Sequence, residues 1–377
     1  MSSAIGTWAE HQGTAGTAIN ASVSTALEDP AWDEFLKNSP LGEFPQSSAW
    51  ARYKQVGGWE CARTLLKRGQ RIAGGFQVLW RKTRFGRIGY VSKGPVAEAE
   101  EPEVVDAAVT LLAQAARRLG LAGLVVQPPG GSRLTASRMP PAKFLPNRIL
   151  GIITATLVVD ASGGMAAVEA QMRRTTRQLL RKAIRSGVTV REGSGDDLET
   201  FFQLMLKTCE RQNSSPNPSS AAALKMLWNA FGGAAGCRLT LAEHGGNAIA
   251  GLFCIGFGGI LTFWKKGSLP ERLPQHPMEL LYHEALAWAN SRGYRFCDFL
   301  ALGRQTAEAL ITGEPLSVEQ RRSRDIFNLG FGGAPVLLPE AYMHFPNPAL
   351  SVAYRSLAGN ECTLRWMKKA AQKLNIG

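Results

Sequence analysis

The clearest order in the chain is a switch of hydrophobic period that occurs twice. Arg68-Gly69-Gln70-Arg71-Ile72-Ala73-Gly74-Gly75-Phe76 and Gly245-Gly246-Asn247-Ala248-Ile249-Ala250-Gly251-Leu252-Phe253 each place a glycine-containing turn between two β-rich runs, the pattern of a hairpin. The first hairpin is followed by a strand (87–91), a helix (about 103–119), Gly120 and a strand (124–127). The second is followed by a strand (260–264), a helix (about 277–292), Gly293 and a strand (295–299). The two series stand at a nearly constant offset of about 175 residues, which implies a duplicated domain rather than a short solenoid repeat. The expected fold class is α/β (α+β), in two tandem copies.

Residues 131–151 are rich in Pro, Gly and Arg and read as the joint between the copies. A strand (152–159) opens the second copy, followed by one helix over 165–185 and another over 201–211. Pro216 and Pro218 make 212–220 a loop, the kind of segment on which ligand groups gather. The expected boundaries are a flexible tail (1–28), a first domain (29–150, completed by 335–377) and a second domain (151–334).

At 377 residues, 45% hydrophobic and 19% charged, the chain is long enough for two ordinary cores. Its longest apolar stretch, 251–264, is interrupted by Gly256, Gly258 and Gly259, short of the roughly 20 residues a membrane helix needs. The first 36 residues lack Lys and Arg, unlike a secretory signal, so a cytoplasmic location is expected. Cys61, Cys209, Cys237, Cys254, Cys297 and Cys362 have no metal-ligand or CxxC spacing, and a reducing compartment with buried thiols fits them. His11, His244, His276, His283 and His344 are equally scattered, and neither a Walker loop nor a nucleophile elbow occurs. No metal and no cofactor is expected.

Charge adds a sharper expectation. With 43 bases and 30 acids the net charge is +13, a field that attracts phosphate-rich partners. Between Glu169 and Glu192 no acid occurs, while Arg173, Arg174, Arg177, Arg181, Lys182, Arg185 and Arg191 do. Arg173, Arg177, Arg181 and Arg185 recur every four residues, one face of a helix. Two readings stand: a solvated basic face, or, with Lys182, a surface for nucleic-acid or diphosphate oxygens. The C-terminus adds Arg365, Lys368, Lys369 and Lys373.

Several stretches resemble the Fem family in order. Gln46-Ser47-Ser48-Ala49-Trp50, Lys54 and Gly58-Trp59 resemble its opening, and Lys93-Gly94-Pro95-Val96 resembles its Gly-Pro turn. Met172, Thr176-Arg177, Leu180-Arg181-Lys182-Ala183 and Gly187-Val188 resemble its long basic helix. Thr208 with Arg211, Cys297-Asp298-Phe299, and Phe327 with Gly330-Phe331-Gly332-Gly333 follow in family order. The resemblance implies two GNAT-like (acyl-CoA N-acyltransferase-like) domains. It also implies transfer of an amino acid from aminoacyl-tRNA to the amine of a peptidoglycan precursor. No insertion between Arg211 and Cys237 is large enough for a coiled-coil arm, so the compact form of the family is the nearer likeness.

The resemblance further implies a phosphorylated acceptor, UDP-linked or lipid-linked, whose diphosphate Lys54 and Arg211 would bind. It places Glu98 at the Gly-Pro turn as a proton acceptor or ammonium anchor, with Asp298 and Phe327 at the chemical centre. Each also has a bland reading: Lys54 and Arg211 as surface cations, and Glu98 as one of several acids favoured at a helix start by the dipole. Asn328 stands where the family carries a functional lysine, and Ser215 and Trp264 stand near places where it carries tyrosines. Such departures point to a different acceptor or altered activity. Contact with a membrane surface would follow from a lipid-linked acceptor, and the oligomeric state stays open. Two other functions compete, an acyl-CoA-dependent GNAT enzyme and a non-catalytic binder of tRNA or other anions. Arg117, Gly120 and Ala122 match the spacing of a pyrophosphate loop, but they leave a helix and enter a strand, the reverse of the polarity such a loop needs.

Overall fold

The computed structural model describes residues 19–84, 86–361, 363–365, 367 and 368, apart from the side chains of Leu273 and Pro274. Cys362, Lys369, Lys373 and residues 1–18 of the expected tail lie outside these described residues. In chain order come β1 (Ile19–Ser24), α1 (Pro30–Asn38), α2 (Ser48–Gln55), β2 (Glu60–Arg68), β3 (Arg71–Thr83), β4 (Gly86–Ser92), β5 (Val96–Ala97), α3 (Pro102–Arg118), β6 (Leu121–Gln127), α4 (Leu134–Ser137) and β7 (Leu145–Pro146). Then follow β8 (Ala155–Asp160), α5 (Gly164–Gln171), α6 (Arg174–Arg185), β9 (Thr189–Gly193), α7 (Leu198–Arg211), α8 (Ala221–Ala230), β10 (Cys237–His244), β11 (Asn247–Phe257), β12 (Ile260–Ser268), α9 (Pro277–Ser291), β13 (Phe296–Asp298), α10 (Arg304–Thr312), α11 (Val318–Arg322), α12 (Asp325–Leu329) and β14 (Ala334–Leu337). β15 (Tyr342–His344) and α13 (Pro348–Ala358) complete the series.

The chain divides into unit 1, Met1–Ile152 with Leu338–Gly377, and unit 2, Ile153–Leu337. Each has one mixed sheet. Unit 1 orders its strands β1-β2-β3-β4-β6-β15-β7, with β5 beside β3, and unit 2 orders them β9-β10-β11-β12-β13-β8-β14. Within each, one parallel pair, β4 with β6 or β12 with β13, stands among antiparallel neighbours. Parallel neighbours need a crossover, which α3 supplies in unit 1 and α9 in unit 2. The duplication extends to a defect. Both hairpins carry a bulge just before the turn, between Leu66 and Lys67 and between Ala242 and Glu243. The strand beyond the parallel pair differs in origin: β15 arrives from the C-terminal segment in unit 1, whereas β8 opens unit 2.

Apolar faces of both sheets are buried under helices. Phe76, Val104, Leu112 and Leu124 are fully buried in unit 1, and Leu157, Leu252, Leu261, Leu281 and Leu286 in unit 2. Cys61, Cys237, Cys254 and Cys297 are buried free thiols; burial pushes the Cys61 thiol up to about 11, so they behave as small apolar residues.

Three expectations need correction. Residues 19–24, assigned to the tail, form β1, because six consecutive positions pair with Arg63 to Arg68 of β2. Residues 131–151, read as a Pro-rich joint, hold regular elements, α4 and β7. The helix expected over 165–185 breaks into α5 and α6, since Met172 and Arg173 adopt extended backbone angles. The cause of the break lies far along the chain. Met172 is buried in the core, and the Arg173 N–H donates to the Gly330 carbonyl at 2.9 Å. The loop carrying Gly330 to Gly333 presses on this junction: a β-carbon on Gly330 would lie 2.3 Å from Thr176 Oγ1, and one on Gly332 2.9 Å from the Gln171 carbonyl oxygen.

Gly332 also has φ +81, so a side chain there meets both backbone strain and an immovable backbone neighbour. Gly332→Ala is expected to destabilise unit 2 by about 2 kcal/mol or more, read as a lower urea midpoint at unchanged slope.

Candidate functional site

Unit 1 builds its candidate site on the first turn after α1. Gln46 is fully buried and joins three elements. Its side-chain amide donates to the Ser92 carbonyl at 2.6 Å, and its Oε1 accepts from the Gln77 N–H at 2.7 Å, while its own carbonyl accepts from Trp32 Nε1 at 2.8 Å. Ser47 caps α2 by accepting from the Trp50 N–H. The result fixes α2, which carries Lys54 one turn beyond Trp50. Lys54 Nζ sits 5.0 Å from the Trp50 ring, 5.9 Å from Tyr53 and 5.9 Å from Trp59. Three rings make this a caged ammonium, not a freely waving surface cation. The Arg81 guanidinium lies 4.9 Å over the same Trp59 ring.

Glu98 follows β5 and forms an ion pair with Arg71. Its neighbours are also engaged: Glu101 and Glu103 pair with Arg68, and Glu100 accepts from Ser132 Oγ and from the N–H groups of Arg133, Leu134 and Thr135. Partial burial alone would raise the Glu100 carboxyl, but these donors together outweigh it and hold it down to about 2. The acidic cluster is thus a set of ties at the entry to α3.

In unit 2 the sheet forks. β12 and β13 pair over Ile260–Thr262 and Phe296–Asp298, after which β12 runs on to Ser268 without this partner. Five rings fill the opening: Phe263 meets Phe299 at 4.6 Å and Tyr282 at 4.9 Å, Tyr282 meets Phe327 at 4.9 Å, and Phe331 meets Tyr282 at 5.2 Å. Asp298 ends β13 at the fork, where its Oδ1 accepts from Thr156 Oγ1 and from the Leu300 N–H at 2.8 Å. Phe327 reaches the same cluster from α12, and Asn328 follows it on that helix. Asn328 is 5% exposed, and its Oδ1 has no hydrogen-bond partner among the described residues. The structure therefore brings Phe327 into the aromatic cluster, with Asn328 next to it on α12 and Asp298 next to the cluster's Phe299 in the chain. It also brings Lys266, which the sequence reading missed because β12 was expected to end at residue 264. Lys266 Nζ donates to Tyr282 Oη at 3.1 Å and lies 4.9 Å over the Phe327 ring.

Trp264 is not part of this cluster. It packs edge-on against Phe253 at 6.0 Å, under the Lys265 ammonium at 4.9 Å; burial lowers the Lys265 pKa, with the Cys209 thiol opposing. Arg211 is exposed at the last turn of α7, and Ser215 is exposed in the loop beyond. Thr208 accepts from the Ser268 N–H at 2.9 Å, a clip that holds the end of α7, and so Arg211, at the same end of β12 as Lys266. Gly267 permits it, since a β-carbon there would fall 2.4 Å from the Met205 nitrogen.

The basic segment is exposed at Arg173, Arg174, Arg177, Arg181, Lys182 and Arg185, while Thr176 and Ala183 face inward. Arg173 is the extended residue before α6, so the helical face is carried by Arg177, Arg181 and Arg185. Arg177 donates to the Glu169 carbonyl at 3.2 Å, and Lys182 turns to His276 at 3.3 Å.

Known proteins share both halves. Residues 27–148 match the FemAB family model and residues 170–307 the acetyltransferase (GNAT) domain model. Lipid II:glycine glycyltransferase of Staphylococcus saprophyticus is 23% identical over 197 residues, 49% of this chain and 48% of its own length. The enzyme of the same name from Staphylococcus aureus strain MRSA252 is 24% identical over 191 residues, 48% of this chain and 45% of its own. The chain thus spans about half the length of the curated relatives it matches. Among solved structures, the crystal structure of FemX superposes with a TM-score of 0.72 at 15% identity, covering 87% of this chain and 97% of that one. A tandem GNAT protein from the clavulanic acid biosynthesis pathway superposes at 0.52 and 11% identity, covering 88% and 99%. These likenesses give the fold: two GNAT-like domains in an α/β architecture.

Two outcomes follow from this geometry. Gln46→Leu strands the Gln77 N–H and the Ser92 carbonyl and is expected to cost about 3 kcal/mol, measured by chemical denaturation. A carboxyl held low contributes stability that is complete above its ordinary value and fades as pH falls. Glu100→Gln is therefore expected to be less stable than the parent by about 1–2 kcal/mol at neutral pH after solvent screening, and the gap is expected to close between about pH 4.5 and about pH 2.

Proposed function

Starting from a Fem-family chain with two GNAT-like domains, we propose that it is an aminoacyltransferase that moves an amino acid from aminoacyl-tRNA onto the amine of a peptidoglycan precursor. The named relatives act on lipid II, which supports a phosphorylated, lipid-linked or UDP-linked acceptor handled at a membrane surface on the cytoplasmic side. Among the described residues no helix is long and apolar enough to cross a membrane. The observation that carries the choice of donor is the chemistry at the two crossover helices. An acyl-CoA pyrophosphate needs unoccupied N–H groups at a helix N-terminus. Here carboxylates stand in or beside the first turns, Glu101 and Glu103 at α3, both paired with Arg68, and Glu279 at α9, and they disfavour a pyrophosphate there. Cationic groups lie elsewhere and suit longer phosphorylated partners.

Each candidate residue then has a role. Lys54, held by its three rings, and Arg211, held by the Thr208 clip, contact acceptor phosphates, one as a point charge and the other as a planar fork. Arg177, Arg181 and Arg185, with Arg173 and Lys182 at the margin, contact tRNA phosphates. Asp298, Phe327 and Asn328 line the fork where the amine meets the ester. Glu98 orders the entry to α3 through Arg71, and Ser215 and Trp264 border the acceptor. The neutral amide of Asn328 favours a second reading, a binding protein without turnover.

Transfer of radiolabelled amino acid from a charged tRNA pool to UDP-linked and lipid-linked muropeptides is the direct test. Labelled muropeptide is expected; activity with acyl-CoA alone would contradict the reading, and tight tRNA binding with no product would favour the binder. Lys54→Met is expected to raise the acceptor KM about tenfold or more with a smaller change in kcat. Arg181→Ala with Arg185→Ala is expected to weaken tRNA binding and to reduce the slope of log affinity against log salt by about two.

A further inference from the structure

Acyl transfer to an amine develops negative charge on the carbonyl oxygen, and donors fixed in advance near that oxygen lower the barrier most, a cation more than a neutral amide. On α12, next to Phe327, Asn328 offers no charge. The lysine that lies over the Phe327 ring, from β12, does. Lys266 Nζ lies 4.9 Å from the Phe327 ring and 5.2 Å from the Tyr282 ring, and it donates to Tyr282 Oη at 3.1 Å. Tyr282 is itself 1% exposed and wedged among Phe263, Phe299, Phe327 and Phe331. A lysine loses about 2 kcal/mol of rotamer freedom when fixed, and these three contacts offset that loss in advance of any ligand.

A bland account exists: a lysine laying its stem over apolar surface and keeping its head in water. Two observations go beyond it. The side chain leaves β12 after Thr262, the last residue paired with β13, so it stands inside the fork rather than on a closed sheet face. The residue is exposed, yet no carboxylate lies within ion-pair distance of its ammonium among the described residues. A rigid, accessible, uncompensated cation over an aromatic floor suits an anionic oxygen that arrives from outside.

We propose that Lys266 supplies the positive charge at the acyl-transfer centre of unit 2, with Tyr282 orienting it. The inference rests on the aminoacyltransferase reading. In the step, the acceptor amine nitrogen forms a bond to the ester carbonyl carbon, and the carbonyl π pair moves onto the oxygen beside Lys266. Collapse restores the carbonyl and breaks the bond to the ribose oxygen of the tRNA. That oxygen leaves as a hydroxyl, taking up the proton the amine nitrogen gives away.

The test compares Lys266→Met, Asn328→Lys and the double variant in the charged-tRNA transfer assay, with thermal melts to verify folding. Lys266→Met is expected to lower kcat about 100-fold or more with acceptor KM changed less than about threefold. Asn328→Lys placed on that background is expected to restore at least about tenfold, because it returns a charge to the neighbouring residue of the Phe327 turn. Should Lys266→Met melt early, Lys266→Gln serves in its place under the same expectation. An active parent whose folded Lys266→Met variant keeps kcat within about threefold would overturn the inference and leave the aminoacyltransferase reading intact. A loss expressed in KM and not rescued by Asn328→Lys would also overturn it, assigning Lys266 to ground-state binding. A parent that transfers nothing from any charged tRNA defeats the underlying reading, and the inference with it.

Discussion

Everything at the candidate centre depends on how far two parallel strands stay together. A parallel pair inside an antiparallel sheet demands a crossover helix, and both units meet that demand with the same order of elements. They differ in what happens along the pair. In unit 1, β4 and β6 remain joined from Arg87 to Ser92, and the backbone groups there are consumed by the ladder. In unit 2 the ladder stops at Thr262 and Asp298, and a wedge of five rings occupies the gap. Aromatic pairs add to burial the directional preference of their quadrupoles, so the wedge sets a definite opening and presents side chains of β12, β13 and α12 to it.

The family motifs acquire physical reasons in this frame. Gln46 is a buried suture between the turn before α2 and strands β3 and β4, and its purpose is to set the helix that cages Lys54. The glycines from Gly330 to Gly333 let one loop approach the α5–α6 junction and β8 more closely than any side chain allows, with a β-carbon on Gly333 only 2.7 Å from the Val158 carbonyl oxygen. Thr208 clips α7 to β12. None of these residues does chemistry, yet each positions one that is proposed to.

The tandem α/β architecture was legible because hairpins and crossovers leave local signatures: glycine turns, period-2 runs and glycine-terminated helices. What escaped has a nonlocal cause. Residues 165–185 have an unbroken helical composition, and the break at Met172 comes from a carbonyl more than a hundred residues away in the chain, Gly330. β1 has only Ile19, Ala21 and Val23 as apolar residues among Asn and Ser, too short a pattern to stand out, and it forms because β2 offers an edge. Among the candidate residues, Lys54 and Arg211 could be singled out by their surroundings in sequence, and Trp50 and Trp59 already stood beside Lys54. Lys266 could not: two consecutive lysines read as the end of a strand, whereas the bulge between Phe253 and Cys254 lets β12 continue through them. Glu98 follows the Gly-Pro turn in the chain, but its ion pair with Arg71 was invisible until the fold brought them together.

The central claim is that the aminoacyl end of the donor enters the fork of unit 2. Affinity labelling with tRNA charged with an N-bromoacetyl amino acid tests it directly, because the electrophile alkylates whatever nucleophile lies beside the bound acyl group. Peptide mapping is expected to find the adduct on the peptides that carry β12 or α12. Adducts confined to peptides of unit 1, with the fork unmodified at saturating tRNA, would contradict it.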